Sequence, residues 1–175
     1  MKKLDFRNDV LPLKNSLFRL ALRVTLDKAE AEDVVQETLI KVWKRLDEWE
    51  NVESLEALCL TICRNLALDK LKVAERRNTL KADDTADAEN KIDRSYGANP
   101  VEQAEQHDRV ALVRGIIDRL PEKQRSVMQL REIEGKSYKE IAAVLGISEE
   151  QVKVNIFRAR QTVKQKFMET ENYGL

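Results

Sequence analysis

The stretch SYKEIAAVLGISEEQVKVNIFRARQTVKQKF, residues 137–167, decides the fold of the C-terminal part of the chain. Ser137 with Glu140 and Ser148 with Gln151 have capping-box spacing, which predicts that a helix begins at each serine. Gly146 suits the tight turn between the two helices, because glycine adopts the left-handed backbone without strain. The spacing therefore predicts a helix-turn-helix. The apolar residues expected to lock the pair together are Ile141, Leu145, Ile147, Val152 and Ile156.

The second helix of this pair has a polar and basic free face. Residues 148–168 contain five bases and two acids, a net charge of +3. Helix-turn-helix geometry also occurs in purely structural helix hairpins, but basic residues on the free face favour DNA binding. The outward residues are Gln151, Lys153, Val154, Asn155 and Arg158.

Two further helices are predicted upstream of this motif. The first covers 101–119 and breaks at Leu120-Pro121, where Pro121 suits the first turn of the next helix. That next helix, EKQRSVMQLREIE, ends at Gly135. The apolar residues expected to face inward on the first helix are Val110, Val113, Ile116 and Ile117.

The N-terminal part of the chain carries the apolar spacing of three amphipathic helices. The second helix begins at Asp27, with Glu30 in the capping-box position, and the third begins near Ser54. The inward residues are expected to be Leu13, Leu17, Leu20, Ala21 and Val24 on the first helix, Val35, Leu39, Val42, Trp43 and Leu46 on the second, and Leu55, Leu58, Ile62, Leu66 and Leu71 on the third.

Between the two helical parts lies a segment with little apolar surface. Residues 78–108 contain eight acids and three bases, a net charge of −5, so residues 78–99 are interpreted as a flexible, solvated linker. The predicted fold is all-α, with two small helical domains over 1–77 and 100–171, the C-terminal one containing the helix-turn-helix. Extended, 22 linker residues reach roughly 70–80 Å, but a relaxed coil of that length spans only about 25–28 Å, so the free protein should be compact.

Composition narrows the possible functions. The 175 residues carry 31 bases and 31 acids, so DNA contact must rest on local patches or on a charged partner. There is no signal peptide pattern and no long apolar run, and we expect a cytoplasmic protein. The single histidine, His107, and the lack of a glycine-rich phosphate loop argue against an enzyme, and we expect no catalytic residue and no cofactor. Cys59 and Cys63 share one helix face, but two ligands do not complete a metal site, so both are interpreted as packing residues.

Three stretches resemble the extracytoplasmic-function (ECF) family of RNA polymerase sigma factors. AEDVVQETLIKVW is similar to the family's region 2.2, LTICRNLALDKLK resembles regions 2.3 and 2.4, and the tract from LPEKQRSVMQLRE to FRARQTVKQKF resembles region 4. The resemblance implies a monomer that binds core RNA polymerase and promoter DNA, with an anti-sigma factor as a further partner and no small-molecule substrate. A free-standing helix-turn-helix regulator is the alternative, but it leaves 27–77 without a purpose.

The resemblance also implies roles for individual residues. The residues expected to contact core polymerase are Asp33, Gln36, Glu37 and Thr38. The residues expected to read the minus-ten element are Asn65 and Asp69. The basic residues near them, which would bind phosphates, are Arg64, Lys70, Lys72, Arg76 and Arg77. An amide such as that of Asn65 can both donate to and accept from a base edge. The residues expected to read the minus-thirty-five element are Gln151, Val154, Asn155 and Arg158, and Lys153 is expected to contact a phosphate.

Overall fold

The N-terminal lobe consists of three helices wrapped around one apolar centre. In a computed structural model, which describes the backbone of 3–82 and 104–173 and the side chains of 3–80 and 108–172, these are α1 (Lys14–Thr25), α2 (Lys28–Lys44) and α3 (Leu55–Ala82). Shorter helical turns at Phe6–Val10 and Leu11–Leu13 precede α1, and another at Leu46–Trp49 precedes α3. The all-helical prediction is confirmed.

The corner between α1 and α2 forms where the sequence placed it. Leu26 adopts a left-handed backbone, φ 58°, and its N–H donates to the carbonyl of Leu22. Asp27 then caps α2 by accepting from the N–H of Glu30 at 3.1 Å. The cap stabilises the first turn of α2 by about 1 kcal/mol.

The core of this lobe follows the predicted stripe on α1, but the stripe on α2 is rotated. Trp43 was expected to face inward and is 62% exposed, so that prediction was wrong. Its neighbour Val42 is fully buried, and successive helical residues point about 100° apart, so the burial of Val42 does not carry Trp43 into the core. The buried residues of α2 are Ala31, Val34, Val35, Thr38 and Val42.

Helix α3 buries a different stripe from the predicted one and runs further. The predicted residues are only half-buried, whereas the most buried apolar positions are Cys59, Leu60, Cys63 and Ala67. The helix continues to Ala82, past residue 78 where the linker was predicted to begin. The remainder of the predicted linker, 83–99, lies outside the described residues.

The C-terminal lobe contains α4 (Ala104–Asp118), α5 (Glu122–Met128), α6 (Tyr138–Leu145) and α7 (Glu149–Tyr173). A wider helical turn, Gln129–Ile133, extends α5 and ends before Gly135, as predicted. Val110 on α4 was expected to be inward and is 49% exposed, because α4 packs mainly through residues further along, such as Ile117. None of the helices among the described residues is long and apolar enough to cross a membrane.

The two lobes share one apolar core. Helix α5 packs on α1, and α6 packs on α3. The buried residues that join the core of the N-terminal lobe are Val127, Leu130, Ile141, Val144, Val152 and Ile156. Each fully buried Leu or Ile contributes roughly 1.5–3 kcal/mol, so this contact favours a closed arrangement, in line with the compact protein expected from the linker length.

Candidate nucleic-acid interface

Helix α7 is positioned by local hydrogen bonds that the sequence predicted. The Ser148 hydroxyl accepts from the N–H of Gln151 at 3.1 Å, and the Gln151 side chain accepts from the N–H of Ser148 at 3.1 Å, which completes a capping box. Gly146 ends α6 with φ 67°. At the start of α6, Ser137 accepts from the N–H of Glu140 at 3.1 Å. The helix-turn-helix is therefore held by both of the predicted caps and by the predicted glycine.

The free face of α7 is exposed in the closed arrangement. Gln151, Lys153, Val154 and Arg158 are exposed, and Asn155 is half-buried. The amide nitrogen of Asn155 donates to the carbonyl of Gln151 at 2.7 Å, which leaves its amide oxygen as the group that can accept a bond from outside. Val152, Ile156 and Ala159 occupy the opposite face and are buried.

A second polar stripe runs along α3. Asn65, Asp69, Lys72 and Arg76 are exposed and follow one another at spacings of four, three and four residues, which places them on one face of the helix. Arg77 is exposed beside this stripe, while Lys70 points toward α2 and pairs with Glu30 at 3.1 Å. Apart from Lys70, the predicted minus-ten residues therefore lie together, with one exception.

The exception is Arg64, which is 4% exposed. Its guanidinium donates to both carboxylate oxygens of Glu122 on α5, at 2.8 and 2.9 Å, and to the hydroxyl of Ser126 at 3.3 Å. An arginine held in this way cannot reach a DNA phosphate while the lobes are packed together. Arg64 was expected to be a solvent-facing basic residue, and in the closed arrangement that expectation was wrong.

Other polar contacts also join the two lobes. Arg125 is buried and donates to the carbonyls of Arg23 at 3.0 Å and Val24 at 3.1 Å, at the end of α1. Arg23 donates to Asp118 at 2.7 Å. Three further ion pairs join the lobes: Arg19 with Glu134, Lys136 with Glu56, and Lys139 with Glu53. None of these partnerships was predicted, since no local pattern links residues so far apart in the chain.

The outer face of α2 carries polar and apolar groups side by side. Asp33, Gln36 and Glu37 are exposed as predicted. Thr38 is fully buried and its hydroxyl donates to the carbonyl of Val34 at 2.7 Å, so the expectation of a surface role for Thr38 was wrong. The sequence interpretation also missed Ile40, which is 51% exposed on the same face.

The two cysteines are enclosed in the N-terminal lobe. Burial raises the pKa of Cys59 to about 11 and that of Cys63 to about 12. The Cys63 thiol lies 3.3 Å from the carbonyl of Leu17 and acts as a weak donor to it. Among the described residues, no three side chains of the kind that bind metal ions are grouped together.

Comparison with known proteins assigns both lobes. Residues 10–77 match the family Sigma-70 region 2, and residues 111–163 match Sigma-70, region 4. The RNA polymerase sigma-H factor of Pseudomonas aeruginosa is 32% identical over 158 residues, which cover 88% of this chain and 81% of that protein. The ECF RNA polymerase sigma factor SigL of Mycobacterium tuberculosis is 32% identical over 85% of this chain and 80% of its own length. This chain belongs to the ECF sigma factor family.

As an ECF sigma factor, the chain directs promoter recognition by RNA polymerase and has no enzymatic activity of its own. The alternative of a free-standing helix-turn-helix regulator fails, because region 2 accounts for the whole N-terminal lobe. The chain is also 29% identical over 160 residues to RfaY of Xanthomonas campestris, but it spans only 40% of that protein's length.

Solved structures share the fold of this sigma factor. The sigma factor RpoE of Bartonella quintana, in complex with the anti-sigma factor NepR, superposes with a TM-score of 0.71 at 24% identity, covering 94% of this chain and 97% of that one. CnrH, in complex with the cytosolic domain of CnrY, gives a TM-score of 0.64 at 24% identity, covering 91% of this chain and 85% of that one. The likeness extends over both lobes.

Proposed function

We propose that this sigma factor docks on core RNA polymerase through the outer face of α2. Gln36, Ile40 and Trp43 follow one another at spacings of four and three residues, which places them in one stripe beside Asp33 and Glu37. The observation that carries the proposal is the exposure of Ile40 and Trp43 within a polar rim. Interfaces commonly depend on an exposed aromatic anchor of this kind. Thr38 supports the helix from inside.

The test is equilibrium binding to core polymerase without DNA. Trp43→Ala should weaken binding by about 2 kcal/mol or more, the usual cost of a hot-spot aromatic, and Gln36→Ala with Glu37→Ala should weaken it further. Leu80→Ala is the matched control, because Leu80 is an apolar residue that is 73% exposed on a different helix. Undiminished binding by Trp43→Ala, with the helical circular dichroism unchanged, would contradict the assignment.

We assign minus-ten recognition to the exposed stripe of α3 within the domain at 1–77. Asn65 has both a donor and an acceptor for a base edge, and Lys72, Arg76 and Arg77 can hold phosphates beside it. Asp69 can accept from the amino group of a cytosine. A cleft of about 340 Å³ lies next to the stripe, between α2 and α3, and its wall includes Leu66, Asp69 and Val73. Such a cleft supports a role in holding an unstacked base.

Minus-thirty-five recognition belongs to α7 within the domain at 100–171. Gln151, Asn155 and Arg158 supply polar contacts to base edges, and Val154 can pack on a thymine methyl group. The support for this assignment is that all four lie on the face of α7 that the core leaves exposed or half-exposed.

We further propose that the free monomer is closed and that polymerase separates the lobes in the cytoplasm, where transcription takes place. Promoter elements two helical turns apart need roughly 70 Å between the two DNA-binding surfaces, which two lobes sharing one core do not provide. Opening also frees Arg64 for a phosphate.

An anti-sigma factor is the remaining partner that we propose. A groove of about 470 Å³ lies between the lobes, with Leu22, Val113, Ile117 and Phe167 in its walls and Arg109 on its rim. An apolar helix with acidic flanks would fit this surface, and RpoE, which has a related fold, was solved with the anti-sigma factor NepR. Val110 also lines this groove. A Val110→Asp variant should raise reporter transcription in the native host, because the aspartate charge would exclude the apolar helix of the anti-sigma factor and so release the sigma factor. Unchanged transcription would contradict the groove as the docking site.

A further inference from the structure

Tyr138, the first residue of α6, holds two cations against its ring. The guanidinium carbon of Arg131 lies 4.4 Å from the ring centroid, and the ammonium nitrogen of Lys153 lies 5.7 Å from it. Both distances are within the range of a cation–π interaction. The three side chains come from three elements: the turn after α5, the start of α6, and α7.

Neither cation has a carboxylate partner among the described residues. The acids that flank Arg131 are engaged elsewhere, since Glu132 pairs with Arg160 and Glu134 pairs with Arg19. No acid side chain of the described residues lies within 4.0 Å of Lys153, whereas Lys136 and Lys139 each have one.

Two like charges held beside one ring repel each other, and this repulsion is relieved when an anion binds between or beside them. The ring of Tyr138 therefore holds two positive charges close together, and this arrangement is lowest in energy when an anion is bound. Arg131 is further fixed by donating to the carbonyl of Lys136 at 2.8 Å. The arrangement restricts both side chains before any ligand arrives, which lowers the entropy cost of binding.

The position of this cluster identifies the anion. Lys153 lies on α7 between Gln151 and Asn155, two residues that we assign to base reading. An anion within reach of Lys153 when α7 enters the major groove is a phosphate of the promoter backbone. We infer that Tyr138 is a positioning residue, which holds Arg131 and Lys153 as a phosphate clamp and so sets the register of α7 on DNA. The inference rests on the proposed DNA-binding role of α7.

The test uses holoenzyme assembled from core polymerase and the full chain, with promoter fragments that carry a matched or a scrambled minus-thirty-five element, over a range of salt concentrations. Tyr138→Leu should weaken binding to both fragments by the same factor, about two- to five-fold, because leucine offers no ring face to either cation. The slope of log affinity against log salt should fall by about one unit for each phosphate that the clamp no longer holds. Tyr138→Phe keeps the ring face and should behave like the wild type.

Lys153→Gln provides a second variant that does not touch the core, since Lys153 is exposed. It should reproduce the lower salt slope, and adding Tyr138→Leu to it should weaken binding by less than the sum of the separate effects. A Tyr138→Leu variant with an unchanged salt slope, or one that weakens only the matched fragment, would overturn the inference. Arg158→Ala tests the proposed function separately: if it leaves the preference for the matched fragment intact, the reading role of α7 fails, whatever Tyr138 does.

Discussion

The two helices to which we assign DNA recognition, α3 and α7, differ in how much of their polar faces the closed arrangement leaves exposed. Helix α7 keeps the face that we propose reads DNA open to solvent, while on α3 the side chain of Arg64 is paired with Glu122 of the other lobe. The difference follows from which surfaces pack: α6 lies on α3, whereas α7 packs on α4, α5 and α6 of its own lobe. On the proposed assignments, the closed protein presents its minus-thirty-five surface unchanged, but its minus-ten surface is complete only after the lobes separate.

The charges at the lobe contact explain why opening costs energy and yet can occur. Arg64 is buried and donates two hydrogen bonds to the carboxylate of Glu122. Removing that carboxylate would therefore leave the guanidinium charge poorly solvated. The exposed inter-lobe pairs, such as Lys139 with Glu53, contribute little. The pair of Arg64 and Glu122 therefore favours closure, as does the similarly buried pair of Arg23 and Asp118.

The largest effect is expected from Glu122→Ala. A fully buried ion pair costs about 3–5 kcal/mol when broken, and since Glu122 retains some exposure we expect about 2–3 kcal/mol, or roughly 30- to 150-fold in the closed-to-open equilibrium. Single-molecule energy transfer between dyes on Glu32→Cys and Gln161→Cys should show a larger open population. Minus-ten DNA binding by the free protein should rise with it.

The matched control for this variant is Glu140→Ala, because Glu140 is an exposed acid of the same lobe that lies on α6 rather than in the Arg64 contact. It should leave the distance distribution unchanged. An open population in Glu122→Ala no larger than in the wild type would show that the apolar core alone keeps the lobes closed.

The second effect separates base reading from phosphate holding on the two helices. A base contact is worth about 1–3 kcal/mol of discrimination, so Asn65→Ala should relax the minus-ten preference in open-complex formation by about 5- to 150-fold. Arg158→Ala should do the same at the upstream element, and Lys72→Ala should lower activity evenly on all promoters. Transcription from a promoter library at two salt concentrations distinguishes these outcomes. A uniform loss in both Asn65→Ala and Lys72→Ala would remove Asn65 as a base reader.

Individual residues show which parts of the fold and of the candidate site could be predicted from the sequence. The helix-turn-helix was predictable because its determinants are local: Ser137, Gly146 and Ser148 each act within four residues. The exposed stripe of α3 was predictable from charge. Trp43 was misplaced because an apolar residue beside the core stripe can equally belong to a docking surface, and sequence periodicity does not separate the two.

The fate of Arg64 could not be predicted at all. Its partner Glu122 lies 58 residues away in the chain, and the packing of the C-terminal lobe on the N-terminal lobe brings the two together. A basic residue within a helix has the same local sequence pattern whether its side chain meets a phosphate or a carboxylate. Contacts between lobes depend on the tertiary arrangement, which composition and periodicity do not encode.

The third effect concerns the cysteines and distinguishes opening of the lobes from unfolding. Only thiolates react, and because burial raises the pKa of Cys63 to about 12, it should stay unlabelled by a thiol reagent at pH 8. Its contact with Leu17 lies within the N-terminal lobe, so Glu122→Ala should leave it equally unreactive. Rapid labelling in that variant would mean that the lobe itself had unfolded.

Cys59→Ala with Cys63→Ala should lower the free energy of unfolding by about 1 kcal/mol or more without altering promoter choice.

The smallest effect is expected from the pH dependence of the contact between Glu134 and Arg19. Burial raises the pKa of Glu134, but the hydrogen bonds from Arg19, Gln129 and Ser16, together with the charge of Arg19, outweigh it, so the net pKa lies below the ordinary value of 4.5. A carboxylate with a lowered pKa stabilises the folded state above its unfolded pKa, and that contribution is lost as pH falls through the folded value. Arg19 keeps its charge throughout, since its own pKa is raised.

Closure should therefore be insensitive to this group between pH 7 and about 5, and should weaken only at more acid pH. Glu134→Gln lacks the charged contact at every pH, so the difference in open population between it and the wild type should shrink as pH falls below about 4.5. Glu140→Gln is the control, since its difference from the wild type should stay flat. Energy transfer measured from pH 7 to pH 3.5 gives both curves. Parallel curves for wild type and Glu134→Gln would mean that the charge of Glu134 contributes nothing to closure.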